Sequence, residues 1–382
     1  MQKVLIDASS LLSPITGIGR YTYEISKRLQ NLTVYKYEIF FNYGFCSKEL
    51  YGPSNEQTNT QLKAKKLQSF IKKFSLLKKF GRKFYTFIAK FDPNIYDFYW
   101  QPNFIPNQNI KAKKVISTIH DFSFKLQPHW HPKERVQYLN KNFNLAKKAD
   151  HIITGSNFTK QEIIDYMQIP QDNISVIYHG VDHDIYKLYL QNELQQTKLR
   201  FDLPDKFLLF VGSIEPRKNL LSMLNAYNLL TKEEKSALPF ILVGFRGWQN
   251  IEIMQEIEKS KEHIHYLGFV TDLELAHIYN LATMFIYPSL YEGFGLPPLE
   301  AMACGTPVIV SSVASLPEVC ADAALYINPT DLQDIKDKIL TLLYDETLRE
   351  ALSQKGKTQA ALFSWDKSAL EHLKVFQKVL AK

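Results

Sequence analysis

Short strand-like segments alternate with longer amphipathic segments along most of the chain, and this alternation limits the fold more than any other feature of the sequence. The strand-like runs are Val4–Ile6, Val115–Ile119, His151–Thr154, Ser175–Tyr178, Phe207–Val211, Phe240–Val243, Ile264–Leu267, Met284–Tyr287 and Thr306–Val310. Apolar strands separated by helices are typical of parallel sheets covered on both faces. The sequence therefore predicts an α/β protein with doubly wound sheets.

The alternation is interrupted once, by a polar stretch with little periodicity at Lys187–Arg200. At 382 residues the chain is also too long for one ordinary hydrophobic core. We therefore predict two doubly wound domains, residues 1–195 and residues 196–364, with the polar stretch as the linker between them.

Charge is distributed unevenly between the two halves of the chain. Residues 1–200 contain 29 Lys and Arg against 16 Asp and Glu, whereas the remaining 182 residues contain 17 against 23. A basic first half and a mildly acidic second half indicate different binding partners.

The basic charge is concentrated in residues 62–91, which contain ten Lys and Arg, no acidic residue, and apolar residues mostly at three- or four-residue steps. This pattern predicts a basic amphipathic helix, which could pack on the domain core or bind anionic lipid. We favour association with a membrane surface. No nucleic-acid recognition motif accompanies the charge, so no nucleic-acid partner is expected.

The ends and cysteines of the sequence indicate the compartment. Met1–Asp7 runs directly into a strand-like pattern and lacks the order of a signal peptide, and no apolar run approaches the roughly 20 residues that span a bilayer. Three cysteines, at positions 46, 304 and 320, are few and lack metal-ligand spacing. We expect a cytoplasmic protein with reduced thiols, peripheral at the inner face of the membrane if residues 62–91 bind lipid.

Two glutamates eight residues apart, Glu292 and Glu300, follow one of the later strands. Pro297–Pro298 suits the first turn of a helix, which Gly305 would end. Ligands of doubly wound sheets bind beyond the carboxyl ends of the strands. We expect both carboxylates to face one cavity there and to accept hydrogen bonds from the vicinal hydroxyls of a sugar or ribose.

Adjacent cations follow another strand, at Arg217 and Lys218. Cations at a helix start oppose the helix dipole, so a merely solvated position is the less favoured interpretation. Arginine offers a bidentate fork and lysine a mobile point charge. The pair predicts a site for two phosphate groups.

Other candidates lie in loops of the first half. Gly17 and Gly19 follow the first strand and would allow close approach of the backbone to phosphate or sugar, although the third glycine of the dinucleotide motif is missing. His120 ends a strand and is expected to contact substrate hydroxyls. Asp182–His183–Asp184 has the Asp-x-Asp form of some metal sites, but its place near the linker argues against that role. No metal is expected.

Taken together, the Glu-x7-Glu stretch, Glu215–Asn219, the Gly-Ile-Gly-Arg segment at 17–20 and His120–Asp121 resemble a family 4 retaining glycosyltransferase of the GT-B fold. The likeness is dense from about Leu208 to Pro329 and sparser before it. It implies two Rossmann-like domains facing across a cleft, the second holding most of the donor. It also implies that about residues 365–382 return to the first domain as a helix.

The resemblance assigns roles to matched positions. Glu300 would hold the ribose hydroxyls of a nucleotide-sugar, Glu292 would contact the transferred sugar, and Arg217 and Lys218 would bind the diphosphate as it leaves. His120 would touch the sugar. The remaining positions implied in donor binding are Gly17, Gly19, Gly293, Phe294, Gly295, Leu296 and, for the base pocket, Phe245, Phe269 and Val270.

The resemblance is strongest to bacterial mannosyltransferases of O-antigen and related lipopolysaccharide assembly. It implies transfer of a hexose, best taken as mannose from GDP-mannose, to a glycan or lipid-linked acceptor, with no cofactor beyond the donor. Two alternatives stay open: a GT-B sugar-nucleotide epimerase, and a catalytically silent nucleotide-sugar-binding subunit of an assembly complex.

Overall fold

A computed structural model describes residues 1–12, 17–32, 36–52 and 89–381 of the chain. The basic stretch predicted at residues 62–91 lies outside the described residues except for Ala89–Phe91, so its helix and its membrane contact stay predictions. Within the described ranges, no helix is both long enough and apolar enough to cross a bilayer.

The first half of the chain forms a seven-stranded sheet with the strand order β3-β2-β1-β4-β5-β6-β7. Its strands are β1 Gln2–Asp7, β2 Tyr37–Asn42, β3 Cys46–Ser47, β4 Tyr96–Gln101, β5 Ala112–Ile119, β6 His151–Thr154 and β7 Ile174–Val176. All neighbours pair in parallel except β2 with β3. The described helices of this half are α1 Gly17–Leu32, α2 Ser123–Leu126, α3 Lys133–Ala146 and α4 Asn157–Met167.

The second half forms a six-stranded parallel sheet with the order β10-β9-β8-β11-β12-β13. Its strands are β8 Leu208–Val211, β9 Phe240–Val243, β10 Ile264–Gly268, β11 Met284–Tyr287, β12 Val308–Ser311 and β13 Leu325–Ile327. Four of these strands are buried at every residue, as expected of parallel strands with helices on both faces. Counted from β8, the order is that of a Rossmann fold, which confirms the predicted fold class.

The later helices are α5 Gln191–Arg200, α6 Leu220–Asn228, α7 Lys232–Ala237, α8 Ile251–Lys259, α9 Asp272–Leu281, α10 Leu296–Ala303, α11 Leu316–Cys320, α12 Leu332–Tyr344, α13 Glu346–Ala360 and α14 Trp365–Leu380. The last of them, α14, leaves the second sheet and packs on α1. Its Trp365 and Phe376 belong to the hydrophobic core of the first sheet.

The chain crosses between the two halves twice at one place. Val181 forms a parallel bridge with Ser364, and the Val181 amide donates to the Phe363 carbonyl at 3.2 Å. A Cβ on Gly180 would lie 2.0 Å from the backbone nitrogen of Trp365. The outgoing and returning segments are therefore packed backbone to backbone.

The polar stretch Lys187–Arg200, which separates the two series of strands and helices in the sequence, contains the helix α5. Only Leu194 and Thr197 of the helix are buried, and Thr197 Oγ1 lies 2.7 Å from His277 Nδ1 of α9. A short helix that buries so few residues leaves almost no apolar periodicity in the sequence. Tertiary packing against α9 compensates for that weak pattern.

Candidate active site

Arg217 and Lys218 lie just beyond the carboxyl end of β8, in a single 3-10 turn at Pro216–Lys218 that leads into α6. Asn219 ends the turn with φ +56° and its side chain donates to the Pro329 carbonyl at 2.7 Å. This left-handed residue turns the chain so that the two cations precede the helix instead of joining it.

Glu292 follows β11, the strand beside β8, and its carboxylate lies between the two cations. Arg217 Nη1 donates to Oε2 at 2.8 Å, and Lys218 Nζ donates to Oε1 at 2.6 Å. Lys218 also donates to the Tyr287 hydroxyl, and Arg217 pairs with Glu215 at 3.0 Å. Because β9 and β11 flank β8 on opposite sides, the cluster sits at the switch point of the sheet, where α/β folds bind ligands.

Electrostatics in this cluster favour charged groups despite burial. Burial disfavours the Glu292 carboxylate, but Arg217 and Lys218 outweigh it and lower the pKa of Glu292 to about 2. Burial and the neighbouring Arg217 lower the pKa of Lys218, and Glu292 opposes that shift. Burial opposes the charge of Arg217 as well, yet Glu292 and Glu215 raise its pKa well above the ordinary value.

The loop after Glu292 is packed directly against the first sheet. A Cβ on Gly293 would lie 1.8 Å from the His120 carbonyl oxygen, and Ser156 Oγ donates to the Gly293 carbonyl at 2.7 Å. Gly295 precedes α10 with φ +109°. Glycine is required at 293 because the backbone of one half touches the backbone of the other, and at 295 because of its positive φ.

Helix α10 begins and ends where the sequence predicts. Its first turn contains Pro297 and Pro298, it ends at Ala303, and Gly305 follows with φ +76°. Phe294 and Gly295 are buried and Leu296 is half-buried. Glu300 therefore lies one turn into the helix, while Glu292 stays in the loop before it.

Glu300 lies in a different network from Glu292. Its side chain is buried and accepts a hydrogen bond from the Tyr279 hydroxyl at 3.3 Å. Burial raises the pKa of Glu300 to about 7, although the charge of Arg20 acts in the opposite direction. Arg20, at the start of α1, forms an ion pair with Asp272 at the start of α9. The Tyr186 hydroxyl is buried nearby and has no hydrogen-bond partner among the described residues.

On the side of the first sheet, His120 follows β5. Its Nε2 lies 2.7 Å from the Pro102 carbonyl oxygen, which can only accept, so Nε2 carries the proton and Nδ1 is the ring acceptor. Burial lowers the pKa of His120 and keeps the ring neutral. Gly17 and Gly19 open α1; Gly17 is exposed and Gly19 buried.

The three positions assigned to a base pocket lie on adjacent loops after β9 and β10. The Gly244 amide donates to the Gly268 carbonyl at 2.8 Å, which joins the two loops. Phe245 and Phe269 are exposed, whereas Val270 is buried. The structure brings these positions to one edge of the sheet, and their contact with a base stays a prediction.

The Asp-x-Asp segment at 182–184 raises the question of a metal site. In the described part of the chain, no group of three or more His, Cys, Asp or Glu is arranged to hold a metal. His183 of the Asp-x-Asp segment uses Nε2 to donate to the Phe363 carbonyl at 3.0 Å. This bond gives the segment a structural partner at the crossover between the halves.

Several residues of the site were given no role in the sequence analysis. They are Arg20, Glu215, Asp272, Tyr279, Tyr287 and Tyr291. Tyr291 reaches the site through its backbone carbonyl and the others through their side chains. Arg20 and Glu215 lie in the segments 17–20 and 215–219, whose resemblance to the family was the available signal.

Two Rossmann-type sheets in contact, with paired cations and a carboxylate at the switch point of the second, define the GT-B class of glycosyltransferases. Comparison with known proteins places the chain within that class. A model described as "Glycosyltransferase Family 4" matches residues 15–185, and one described as "Glycosyl transferases group 1" matches residues 191–359. The chain belongs to the family 4 glycosyltransferases.

The O-antigen chain mannosyltransferase B of Escherichia coli is 33% identical over 383 residues, which cover 98% of this chain and 99% of that protein. The O-antigen chain mannosyltransferase RfbU of Salmonella typhimurium is 30% identical over 242 residues, 62% of each chain. Among solved structures, sucrose-phosphate synthase from Thermosynechococcus elongatus superposes over the whole of both chains with a TM-score of 0.72 at 18% identity. That level of identity shows the fold alone.

Proposed function

We propose that this glycosyltransferase is a retaining mannosyltransferase that moves mannose from GDP-mannose to a lipid-linked or oligosaccharide acceptor in cell-surface polysaccharide assembly. The buried cluster of Arg217, Lys218 and Glu292 at the switch point carries the proposal, because it supplies paired positive charge where a diphosphate would bind. The choice of mannose is supported by the full-length likeness to a protein named as an O-antigen mannosyltransferase.

Glu292 accepts hydrogen bonds from both cations in the structure. A donor diphosphate brings two negative groups that would compete for Arg217 and Lys218. We infer an exchange of partners, in which the phosphates take the cations and Glu292 turns to hydroxyls of the transferred sugar. With a pKa of about 2, Glu292 is ionised at neutral pH and can accept hydrogen bonds only.

The reaction builds negative charge on the departing diphosphate and positive charge on the sugar ring. Arg217 and Lys218 stabilise the diphosphate, and Glu215 and Tyr287 hold them in place after Glu292 has turned to the sugar. For retention, we propose that the acceptor hydroxyl oxygen bonds to the anomeric carbon on the same face from which the diphosphate oxygen departs. The hydroxyl proton passes to the leaving phosphate, and no covalent sugar–enzyme bond forms.

The remaining donor-binding roles are assigned from where each residue lies in the structure. Glu300 would hold the ribose hydroxyls, and backbone amides from Gly293 to Leu296 would line sugar and phosphate. His120, with Nδ1 as a neutral acceptor, would accept a hydrogen bond from a sugar hydroxyl. Gly17 and Gly19 would approach the donor from the first half, while Phe245, Phe269 and Val270 would enclose the base.

The cellular setting belongs to the same proposal. A lipid-linked acceptor requires the enzyme to work at a membrane surface, and the basic segment 62–91 would bind anionic lipid on the cytoplasmic face. Flotation of the full chain with vesicles tests this idea. Binding that requires anionic lipid and falls with salt is expected, and equal recovery with neutral vesicles would contradict it.

A thermal-shift screen tests the donor. GDP-mannose and GDP are expected to raise the melting temperature, whereas UDP-glucose and UDP are not. Incubation of GDP-mannose with purified lipid-linked acceptor should then give a product whose anomeric configuration, read by NMR, matches that of the donor. Stabilisation by UDP-sugars instead would overturn the donor, and an inverted product would overturn retention.

A further inference from the structure

Tyr291 occupies the position before Glu292 and is buried at the contact between the two halves of the molecule. Its backbone belongs to the cation cluster, because Arg217 Nη1 donates to the Tyr291 carbonyl at 2.9 Å. The adjacent Leu290 amide donates to the Arg217 carbonyl at 2.9 Å. Any displacement of this residue therefore displaces Arg217 and Glu292 together.

The Tyr291 side chain points the other way, into the first half. Its hydroxyl donates to Glu162 of α4 and accepts from the Phe122 amide at 3.0 Å. Phe122 is two residues from His120, and the Phe158 ring packs edge-on at 5.8 Å. One side chain thus joins α4, the loop of His120 and the cation cluster.

These hydrogen bonds exist only when the two halves are in contact. The Glu162 carboxyl is buried, and burial raises its pKa to about 7. Separation of the halves would return Glu162 and the Phe122 amide to water, where both can hydrogen-bond. Without the Tyr291 hydroxyl, the Glu162 carboxyl and the Phe122 amide would be buried without this partner when the halves are in contact, but not when they are apart. The hydroxyl therefore stabilises the closed arrangement relative to an open one.

We propose that Tyr291 is a positioning residue for glycosyl transfer, which couples closure of the two halves to the placement of Arg217 and Glu292. The proposal rests on the donor site proposed above. It adds a residue that touches no substrate atom and acts through its neighbours. Contact between the halves holds Tyr291 in place, and Tyr291 in turn holds Arg217 and Glu292.

The test is a substitution that removes the hydroxyl and keeps the ring, Tyr291→Phe. The kcat for transfer from GDP-mannose is expected to fall about tenfold, while the Kd for GDP alone changes by less than about threefold. The second half is proposed to hold most of the nucleotide, so GDP binding should depend little on the contact of Tyr291 with the first half.

The matched control is Tyr178→Phe. The Tyr178 hydroxyl also joins the two halves, since it donates to Glu318 at 2.9 Å and accepts from Asn157 at 3.1 Å. It makes no hydrogen bond to the cation cluster in the described structure. This variant is expected to keep kcat within about twofold. An equal loss in both variants would reduce Tyr291 to an ordinary interface contact and overturn the proposal.

Glu162 supplies a second route should Tyr291→Phe fail to fold, as judged by circular dichroism and melting temperature. Glu162→Gln keeps an acceptor for the hydroxyl and should retain most activity, whereas Glu162→Ala should reproduce the loss of kcat. Unchanged kcat in Glu162→Ala, or in folded Tyr291→Phe, overturns the proposal. Lys218→Ala separates the two hypotheses, because transfer that survives that change refutes the donor site itself.

Discussion

Two carboxylates eight residues apart show how differently one protein can treat the same side chain. Glu292 and Glu300 are 6% and 7% exposed, so burial acts on both. The pKa of Glu292 nevertheless falls to about 2 and that of Glu300 rises to about 7. Two cations lie within 3 Å of Glu292, whereas Glu300 accepts a hydrogen bond from the neutral hydroxyl of Tyr279. Burial disfavours both charged forms, and the charged partners of Glu292 outweigh it where those of Glu300 do not.

The comparison also separates two tasks. The Glu292 cluster concentrates fixed charge of both signs, which suits the binding and release of a charged diphosphate. The Glu300 region holds an acid near its midpoint at neutral pH beside tyrosine hydroxyls, which suits hydrogen bonding to neutral hydroxyls. Substitutions in the Glu292 cluster and in the Glu300 region should therefore differ in the size and the pH dependence of their effects.

Removing a cation from the first region should have the largest effect. Lys218→Ala is expected to lower kcat for transfer about 1,000-fold, equal to about 4 kcal/mol of transition-state stabilisation. Steady-state assays with GDP-mannose measure it. Lys259→Ala, an exposed lysine on α8 that pairs only with Glu256 in the described structure, is the control. A loss of kcat below tenfold for Lys218→Ala would show that the Lys218 charge does not stabilise the transition state.

Neutralising each carboxylate should separate the regions by stability. Glu292→Gln leaves two largely buried cations without their partner and should lower the free energy of unfolding by about 3 kcal/mol. Glu300→Gln resembles the protonated acid and should stay within about 1 kcal/mol of the parent, or exceed it. Urea unfolding at pH 7 measures both. Equal losses would contradict the assigned protonation states.

The contributions of Glu300 and Glu292 to the free energy of unfolding should depend on pH with opposite sign. A folded pKa of about 7, against 4.5 for the unfolded group, means that the Glu300 contribution is fully present below pH 4.5 and is lost as pH rises through 7. The free energy of unfolding of the parent minus that of Glu300→Gln should fall by about 2 kcal/mol between pH 5.5 and 7.5.

For Glu292 the sign reverses. Its folded pKa is depressed from 4.5 to about 2, so its contribution is present above pH 4.5 and is lost as pH falls toward 2. The difference between the parent and Glu292→Gln should be flat from pH 5.5 to 7.5. A slope in that window would show that another group titrates with Glu292.

The smallest effect is expected at the edge of the Glu300 region. The Asp272 side chain is 42% exposed, so Asp272→Asn should change stability by less than about 1 kcal/mol. Its charge raises the pKa of Glu300, so the substitution should move the pH midpoint of the Glu300 difference downward. An upward shift of that midpoint would show that losing the ion pair between Arg20 and Asp272 affects Glu300 more than losing the Asp272 charge does.

Much of the framework could be predicted from local pattern. His151–Thr154, Phe240–Val243 and Met284–Tyr287 were predicted to the residue, because buried parallel strands are short continuous apolar runs. Strands β2 and β4 were missed, since tyrosines and charged residues dilute the apolar pattern of Tyr37–Asn42 and Tyr96–Gln101. The helix α5 was missed because its stability comes from packing.

The candidate site likewise contains residues that could be predicted from the sequence and contacts that could not. Arg217, Lys218 and Glu292 could be named because proline, glycine and strand ends mark their loops in the sequence. Their mutual contacts and the separate surroundings of Glu300 could not, since Arg20 and Asp272 are 252 positions apart and meet only at the contact between the halves.

The sequence by itself determined the fold class, the family and the loops that carry the chemistry, because periodicity, prolines and glycines act over a few residues. Only the tertiary structure decided which charges meet, which acid stays ionised and how Tyr291 joins the two halves. Those outcomes depend on distance and burial, and both are set by elements far apart in the chain.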